Sequence, residues 1–283
     1  MKTILIPIDF SALSYSSAYF ALELAQQMDA QVVLLHVIPA AAPVPAFNIP
    51  VIELTAWKNP LYDQMAEALR HFQGEIRDYQ RQHALTSVPL RTRLVIGQPA
   101  DGILEAADQE NAIFIVMSTV GASNAWDKLV GSVTSDVAQR ATRPVWILPG
   151  VVKLDALRLF SYFADLKGKE LQCISQVLHL GKQLRASMEL VHVSLSYNEE
   201  FSVSEAIIDV FENAYAPERI TFQHLIDDTL SEGIEDYVRN YRPDALILAH
   251  RNRNFFNQLV HQSQIRHLSL ITKRPLLLIQ KTD

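Results

Sequence analysis

The sequence predicts an α/β protein made of two tandem doubly wound domains, each with a five-stranded parallel sheet. Three observations predict it. Short continuous apolar runs alternate with stretches of helical periodicity, as expected of parallel strands buried on both faces and joined by helices. The opening strand, helix and strand have the lengths of a right-handed crossover unit. The whole plan then recurs in the second half of the chain at a fixed offset.

In chain order, residues 3–8 read as a buried strand that ends at Asp9-Phe10-Ser11. Ser14 is expected to cap a helix running to about Met28, with Ala18, Leu22 and Ala25 on one face. Residues 31–37 form a second strand. The stretch 38–60 carries five prolines, Pro39, Pro43, Pro45, Pro50 and Pro60, and reads as a long surface excursion. Helical periodicity returns over 61–83, followed by a third strand at 90–96 and a turn at Gly97-Gln98. Pro99 opens the next helix, because a proline lacks only an amide that the first turn leaves unbonded anyway. A fourth strand at 112–116, a helix reaching Thr142 and a fifth strand at 144–148 complete the half.

Residues 151–156 are a linker, and the pattern starts again. Phe160 to Leu166 fall on Ile4 to Phe10, and Leu190 to Val193 on Leu34 to Val37, both at an offset of 156 residues. Asp244 to Ala249 parallel the fourth strand, and Arg274 to Ile279 parallel Arg143 to Leu148. The expected domains are therefore 1–150 and 151–283. Both final strands are continuous apolar runs that would aggregate as bare edges.

The chain has 283 residues, 49% of them hydrophobic and 20% charged, enough for two separate cores. A net charge of −6 with no Lys/Arg cluster argues against a nucleic-acid partner. A single cysteine, Cys173, excludes an internal disulfide and suits a reducing compartment; its apolar helical setting predicts a buried, inert thiol. The N-terminus lacks the apolar segment of a signal peptide, and no apolar run approaches the roughly 18 residues of a membrane span, so a cytoplasmic location is expected. Nine histidines form no metal-binding spacing, and His36 and His192, at equivalent strand ends, read as hydrogen-bonded structural groups. Neither a GxSxG turn nor an acid–base carboxylate pair is recognisable.

The stretch with chemical content joins the fourth strand to the helix that follows. Gly121 permits close backbone approach or a positive φ. Gly131-Ser132 brings amides and a hydroxyl to a helix N-terminus, where an anion such as phosphate fits. The spacing Ser118-x2-Gly121-x9-Gly131-Ser132 resembles the phosphate loop of the nucleotide-binding branch of the universal stress protein family, which has a third glycine where this chain has Ser118. PIDFS after the first strand, HV ending the second and RPVWILP last are similar to the same family across the whole first half.

The resemblance implies ATP, with Mg²⁺, as the cofactor. Pro7, Ile8, Asp9 and Val37 would hold adenine and ribose; Met117, Ser118, Gly121, Ala122, Gly131, Ser132, Val133 and Thr134 would line the phosphate loop. Asp9 reads either as an acceptor from a ribose hydroxyl or as a turn residue before the first helix. If the loop needs a left-handed backbone at Ser118, serine costs on the order of 1 kcal/mol there and glycine should bind nucleotide more tightly.

The second half has no glycine between His250 and Ser263 and reads as binding-incompetent, with Arg251, Arg253 and His261 as an alternative side-chain anion cluster. Two further readings stand beside nucleotide-dependent regulation. One is a nucleotide-free protein-interaction module, supported by Ser118; the other is slow ATP hydrolysis by positioning and charge neutralisation. The resemblance also implies an intramolecular pseudo-dimer in which the two final strands run antiparallel to each other, with the 38–60 excursion away from that seam; further homodimerisation and a protein partner complete the expectation.

Overall fold

The computed structural model describes residues 1–40, 60–118, 132–164, 171–194, 220–250 and 273–280. The chain divides into two compact units, Met1–Val116 and Met117–Asp283.

In the first unit, strands β1 (Lys2–Pro7), β2 (Ala30–Pro39), β3 (Leu90–Gly97) and the larger part of β4 (Ala112–Ser118), whose last two residues begin the second unit, lie in the order β3-β2-β1-β4 and pair in parallel. Helices α1 (Ala12–Met28), α2 (Pro60–Gln82) and α3 (Pro99–Gln109) make the connections. The chain leaves β1 to one side, through β2 to β3, and returns on the other side at β4. The order therefore switches direction beside β1, the position where open α/β sheets bind ligands. Ile4, Leu5 and Ile6 of β1 and Val32 to Leu35 of β2 are fully buried, which explains their unbroken apolar run.

The first helix begins earlier than its sequence suggests. Ser11, not Ser14, is its N-cap, accepting from the Ser14 amide, while the Ser14 hydroxyl is taken by Asp9. Ala18, Leu22 and Ala25 face the core as expected. Pro99 does open α3, and α4 (Ser132–Arg140) stops short of Thr142. The edge strand β3 carries Arg91 and Arg93, which pair with Glu110 at 2.7 and 3.1 Å and set charge where an apolar edge would invite another strand.

In the second unit, α4 is followed by β5 (Val145–Leu148), a short 3-10 turn Leu154–Ala156, β6 (Leu159–Phe163), α5 (Leu171–Leu184), β7 (Ser187–Ser194), β8 (Ile220–Ile226), α6 (Leu230–Tyr241), β9 (Ala245–His250) and β10 (Leu276–Gln280). The strand order is β5-β10-β9-β6-β7-β8. Here β5 and β10 run antiparallel, as the family resemblance implies, with Trp146 opposite Leu277 and both fully buried. Most of the 38–60 excursion, residues 41–59, lies outside the described residues.

The offset between the halves has structural counterparts. Asp29 and Arg185, 156 residues apart, both take a left-handed backbone just past a helix, and each is followed by a buried alanine. Gly102 and Gly233 hold equivalent places in α3 and α6, where an added Cβ would press on Val37 or Val193, themselves at matching strand positions.

The two cores nevertheless differ. Ser161, Glu189 and Thr221 stand side by side on β6, β7 and β8, whereas the first unit has buried Leu5 and Val33 at the positions of Ser161 and Glu189. The Tyr237 hydroxyl of α6 donates to Glu189 Oε2 and lies 2.7 Å from Ser161 Oγ, and Thr221 Oγ1 donates to Glu189 Oε1 at 3.3 Å. Burial, reinforced by the bond to Glu189, pushes the Tyr237 phenol well up. Tyr237→Phe removes one donor from a buried carboxylate and should cost about 2 kcal/mol. Urea unfolding reads this directly, and a change within experimental scatter would show that the hydroxyl is dispensable.

Candidate functional site

At the end of β1 the chain turns within three residues. Ile8 still pairs with the sheet, its amide donating to Leu35 O at 2.8 Å. Asp9 then folds its carboxylate over the start of α1. Oδ1 accepts from the Ser11 amide at 3.0 Å and from the Ser14 hydroxyl at 2.7 Å, and Ser14 Oγ accepts in turn from the Asp9 amide at 3.0 Å. Among the described residues, the two well-formed hydrogen bonds to the carboxylate, from the Ser11 amide and the Ser14 hydroxyl, both end on Oδ1, with the Ser11 hydroxyl also close to the group, which leaves Oδ2, on an exposed residue, to accept from a ligand. Burial pushes the Asp9 carboxyl up, but the hydrogen bonds from Ser11 and Ser14 together outweigh it and hold the group below the ordinary aspartate value. The folded value lies below the unfolded one. The turn's contribution to stability is therefore complete above the ordinary aspartate range and is lost as pH falls through the lowered value.

The residue between Asp9 and the cap is Phe10, with φ +65°. This region is costly for a residue with a bulky side chain, on the order of 1–2 kcal/mol. The Phe10 ring sits 4.6 Å from the His36 ring and 6.1 Å from that of Phe72 of α2. His36 is itself fixed, its Nδ1–H donating to Ile8 O at 2.8 Å. The second unit repeats this tie between His192 Nδ1–H and Ala164 O at 2.9 Å, as expected of two structural histidines. Since the second half lacks the glycines of the phosphate loop, the repeated tie serves the joining of neighbouring strand ends. There the His192 ring also stacks on His224, whose Nε2 lies 2.8 Å from Ser194 Oγ.

Pro7, Ile8, Asp9 and Val37 thus come together in the first unit, at the carboxyl ends of β1 and β2. Val37 is buried under the first turns of α3, where Gly102 makes room for it. In the second unit, Met117 is buried and Ser118 is half-buried as the last residue of β4, while Ser132, Val133 and Thr134 form the first turn of α4. Ser132 is exposed. Thr134 is buried, and its hydroxyl donates to Ser118 O at 3.5 Å, joining the strand end to the helix start. Gly121, Ala122 and Gly131, like Arg251, Arg253 and His261, lie outside the described residues.

The backbone at Ser118 is extended, not left-handed. Serine carries no conformational penalty there, and the gain expected of glycine on that ground disappears. Among the described residues no group of three His, Cys, Asp or Glu side chains could hold a metal ion, and no helix is long and apolar enough to cross a membrane. Cys173 is buried.

Residues 1–149 match the Universal stress protein family, more than half of the chain. The chain belongs to that family. Universal stress protein MJ0531 of Methanocaldococcus jannaschii is 29% identical over 150 residues, 52% of this chain and 81% of its own. Universal stress protein MJ0577 of the same organism is 27% identical over 164 residues, 52% of this chain and 94% of its own. The crystal structure of a universal stress protein from Archaeoglobus fulgidus superposes with a TM-score of 0.71 at 18% identity, covering 99% of this chain and 98% of that one. The likeness of fold therefore extends through the second half of this universal stress protein, beyond the residues that carry the family match.

Phe10 and the polar core of the second unit are the features that sequence reasoning missed. Asp9-Phe10-Ser11 was legible as a strand end, but a phenylalanine gives no sign of a left-handed backbone, which glycine or asparagine would have announced.

Proposed function

We propose that this universal stress protein is a cytoplasmic stress-response regulatory module that binds an adenine nucleotide, ATP, in its first half. The observation that carries the reading is the divided carboxylate of Asp9. One oxygen is built into the turn and the other is open at the carboxyl end of β1, beside the point where strand order reverses. In this reading Pro7, Ile8 and Val37 border the base and ribose, and Asp9 Oδ2 accepts from a ribose hydroxyl. Met117, Ser118, Gly121, Ala122, Gly131, Ser132, Val133 and Thr134 form the phosphate loop, and Mg²⁺ bound with the nucleotide would neutralise phosphate charge there. Any hydrolysis of ATP is slow, since the reading assigns no general base.

The matching left-handed caps and histidine ties support a duplication with domains 1–150 and 151–283, arranged as a pseudo-dimer whose second domain binds no nucleotide. Regulation then runs through a protein partner, with homodimerisation as a further step. The competing reading, a nucleotide-free interaction module, rests on Ser118 in place of glycine.

Asp9→Asn keeps the shape and the Ser11 contact but puts a donor or a neutral oxygen where the ligand needs a charged acceptor. ATP affinity should fall roughly 10- to 100-fold by calorimetry, the worth of one hydrogen bond to a charged group. Mass spectrometry of the protein as purified separates the two readings. An adenine nucleotide retained at stoichiometric level supports regulation by nucleotide, whereas no retained nucleotide and no ATP binding would leave the interaction module.

A further inference from the structure

We infer that Phe10 is a positioning residue whose left-handed backbone, anchored by its ring on His36 and Phe72, aims Asp9 Oδ2 and makes the site selective for ribonucleotides over deoxyribonucleotides. This inference rests on the adenine-nucleotide reading above. Six non-glycine residues among those described have positive φ: Phe10, Asp29, Ala84, Asn111, Arg185 and Arg242. Five of them follow the end of a helix, where a left-handed residue is the ordinary way to stop. Phe10 stands instead between a strand and a helix start, and it is the bulkiest of the six.

The conformation has a local purpose. Asp9 Oδ1 reaches both the Ser11 amide and the Ser14 hydroxyl only because the chain reverses at residue 10. Glycine would turn there without strain, but it would also visit other conformations. The phenylalanine holds one of them through its ring. His36 grips both flanks of Asp9, bonding the carbonyl of Ile8 on one side and packing against the Phe10 ring on the other. Phe72 extends the seat to α2, and Tyr15 of α1 backs Phe72 at 4.3 Å between ring centres. Strained residues that the surroundings over-determine in this way gather at ligand sites. The strain here fixes a single acceptor oxygen.

The full-length protein tests this with ATP, 2′-deoxy-ATP and 3′-deoxy-ATP, in wild type, Phe10→Gly, Phe10→Tyr and Asp9→Asn, by calorimetry. Wild type should prefer ATP over one of the deoxy analogues by about 10-fold, one charge-assisted hydrogen bond. Phe10→Gly should bring that preference below about two-fold, close to Asp9→Asn, while Phe10→Tyr retains it. Equal weakening of all three ligands by Phe10→Gly, with the preference intact, would make the ring merely structural and overturn the inference. If Phe10→Gly does not fold, Phe10→Asn, which tolerates a left-handed backbone, reads the same ratio. Wild-type preference surviving in Asp9→Asn would sink the assignment of Asp9 to the ribose, and with it the inference. ATP bound without any ribose preference overturns the inference alone, and absence of ATP binding overturns the nucleotide reading as well.

Discussion

Leu277→Asp should leave the second unit unable to fold at ordinary temperature. Leu277 is fully buried on β10, opposite the fully buried Trp146 on β5, and on its other side it pairs with the equally buried Ile247 of β9. A carboxylate there has no cation beside it in the pairing, so it must either stay charged in a largely apolar layer or take up a proton at a cost of several kcal/mol. The loss of leucine packing adds to this, and the total rivals the 5–15 kcal/mol that holds a typical domain together. Trp146→Asp attacks the same contact from the other strand and should behave alike. Far-UV circular dichroism with urea unfolding is the measurement, and Leu277→Met, which conserves volume, should stay within about 1.5 kcal/mol of wild type. An aspartate variant that unfolds at the wild-type midpoint would refute the view that this antiparallel pair holds the second unit together.

Gly131→Asp is expected to abolish ATP binding while the fold persists. The substitution adds both a side chain and a negative charge just before the first residue of α4, Ser132, where the helix N-terminus favours an anion. Repulsion of the phosphates and loss of close backbone approach act in the same direction, and together they should weaken binding at least about 100-fold. Calorimetry gives the affinity, and an unchanged thermal midpoint establishes that the effect belongs to the site. Equal ATP affinity in variant and wild type would mean that the phosphates bind elsewhere.

Much of the fold was legible because its signals are local and repeated. Pro99 at the first position of α3, the apolar runs of β1, β2, β5 and β10, and the buried face of α1 through Ala18, Leu22 and Ala25 each follow from a few neighbouring residues. The end of α1 was placed at Met28, where the helix stops, but its start was misplaced. Ser11 and Ser14 both satisfy the chemistry of a cap, and the choice between them depended on which hydroxyl Asp9 would take.

The sequence by itself determined the alternation of strands and helices, the correspondence of the two halves, the antiparallel meeting of the two final strands and the family. The first two rest on periodicity and spacing and the last two on the family resemblance of the phosphate-loop stretch and the strand ends, each carried by many residues together, so that no single side chain can overturn them. Only the tertiary structure decided the left-handed turn at Phe10, the extended backbone at Ser118, the division of Asp9 into a bonded and an open oxygen, and the closure of Ser161 and Glu189 by Tyr237. Each depends on a partner brought from elsewhere in the chain or on a choice among near-equal local alternatives. His36 meets Ile8 across 28 residues and Ser161 meets Tyr237 across 76, and packing alone makes such pairs neighbours.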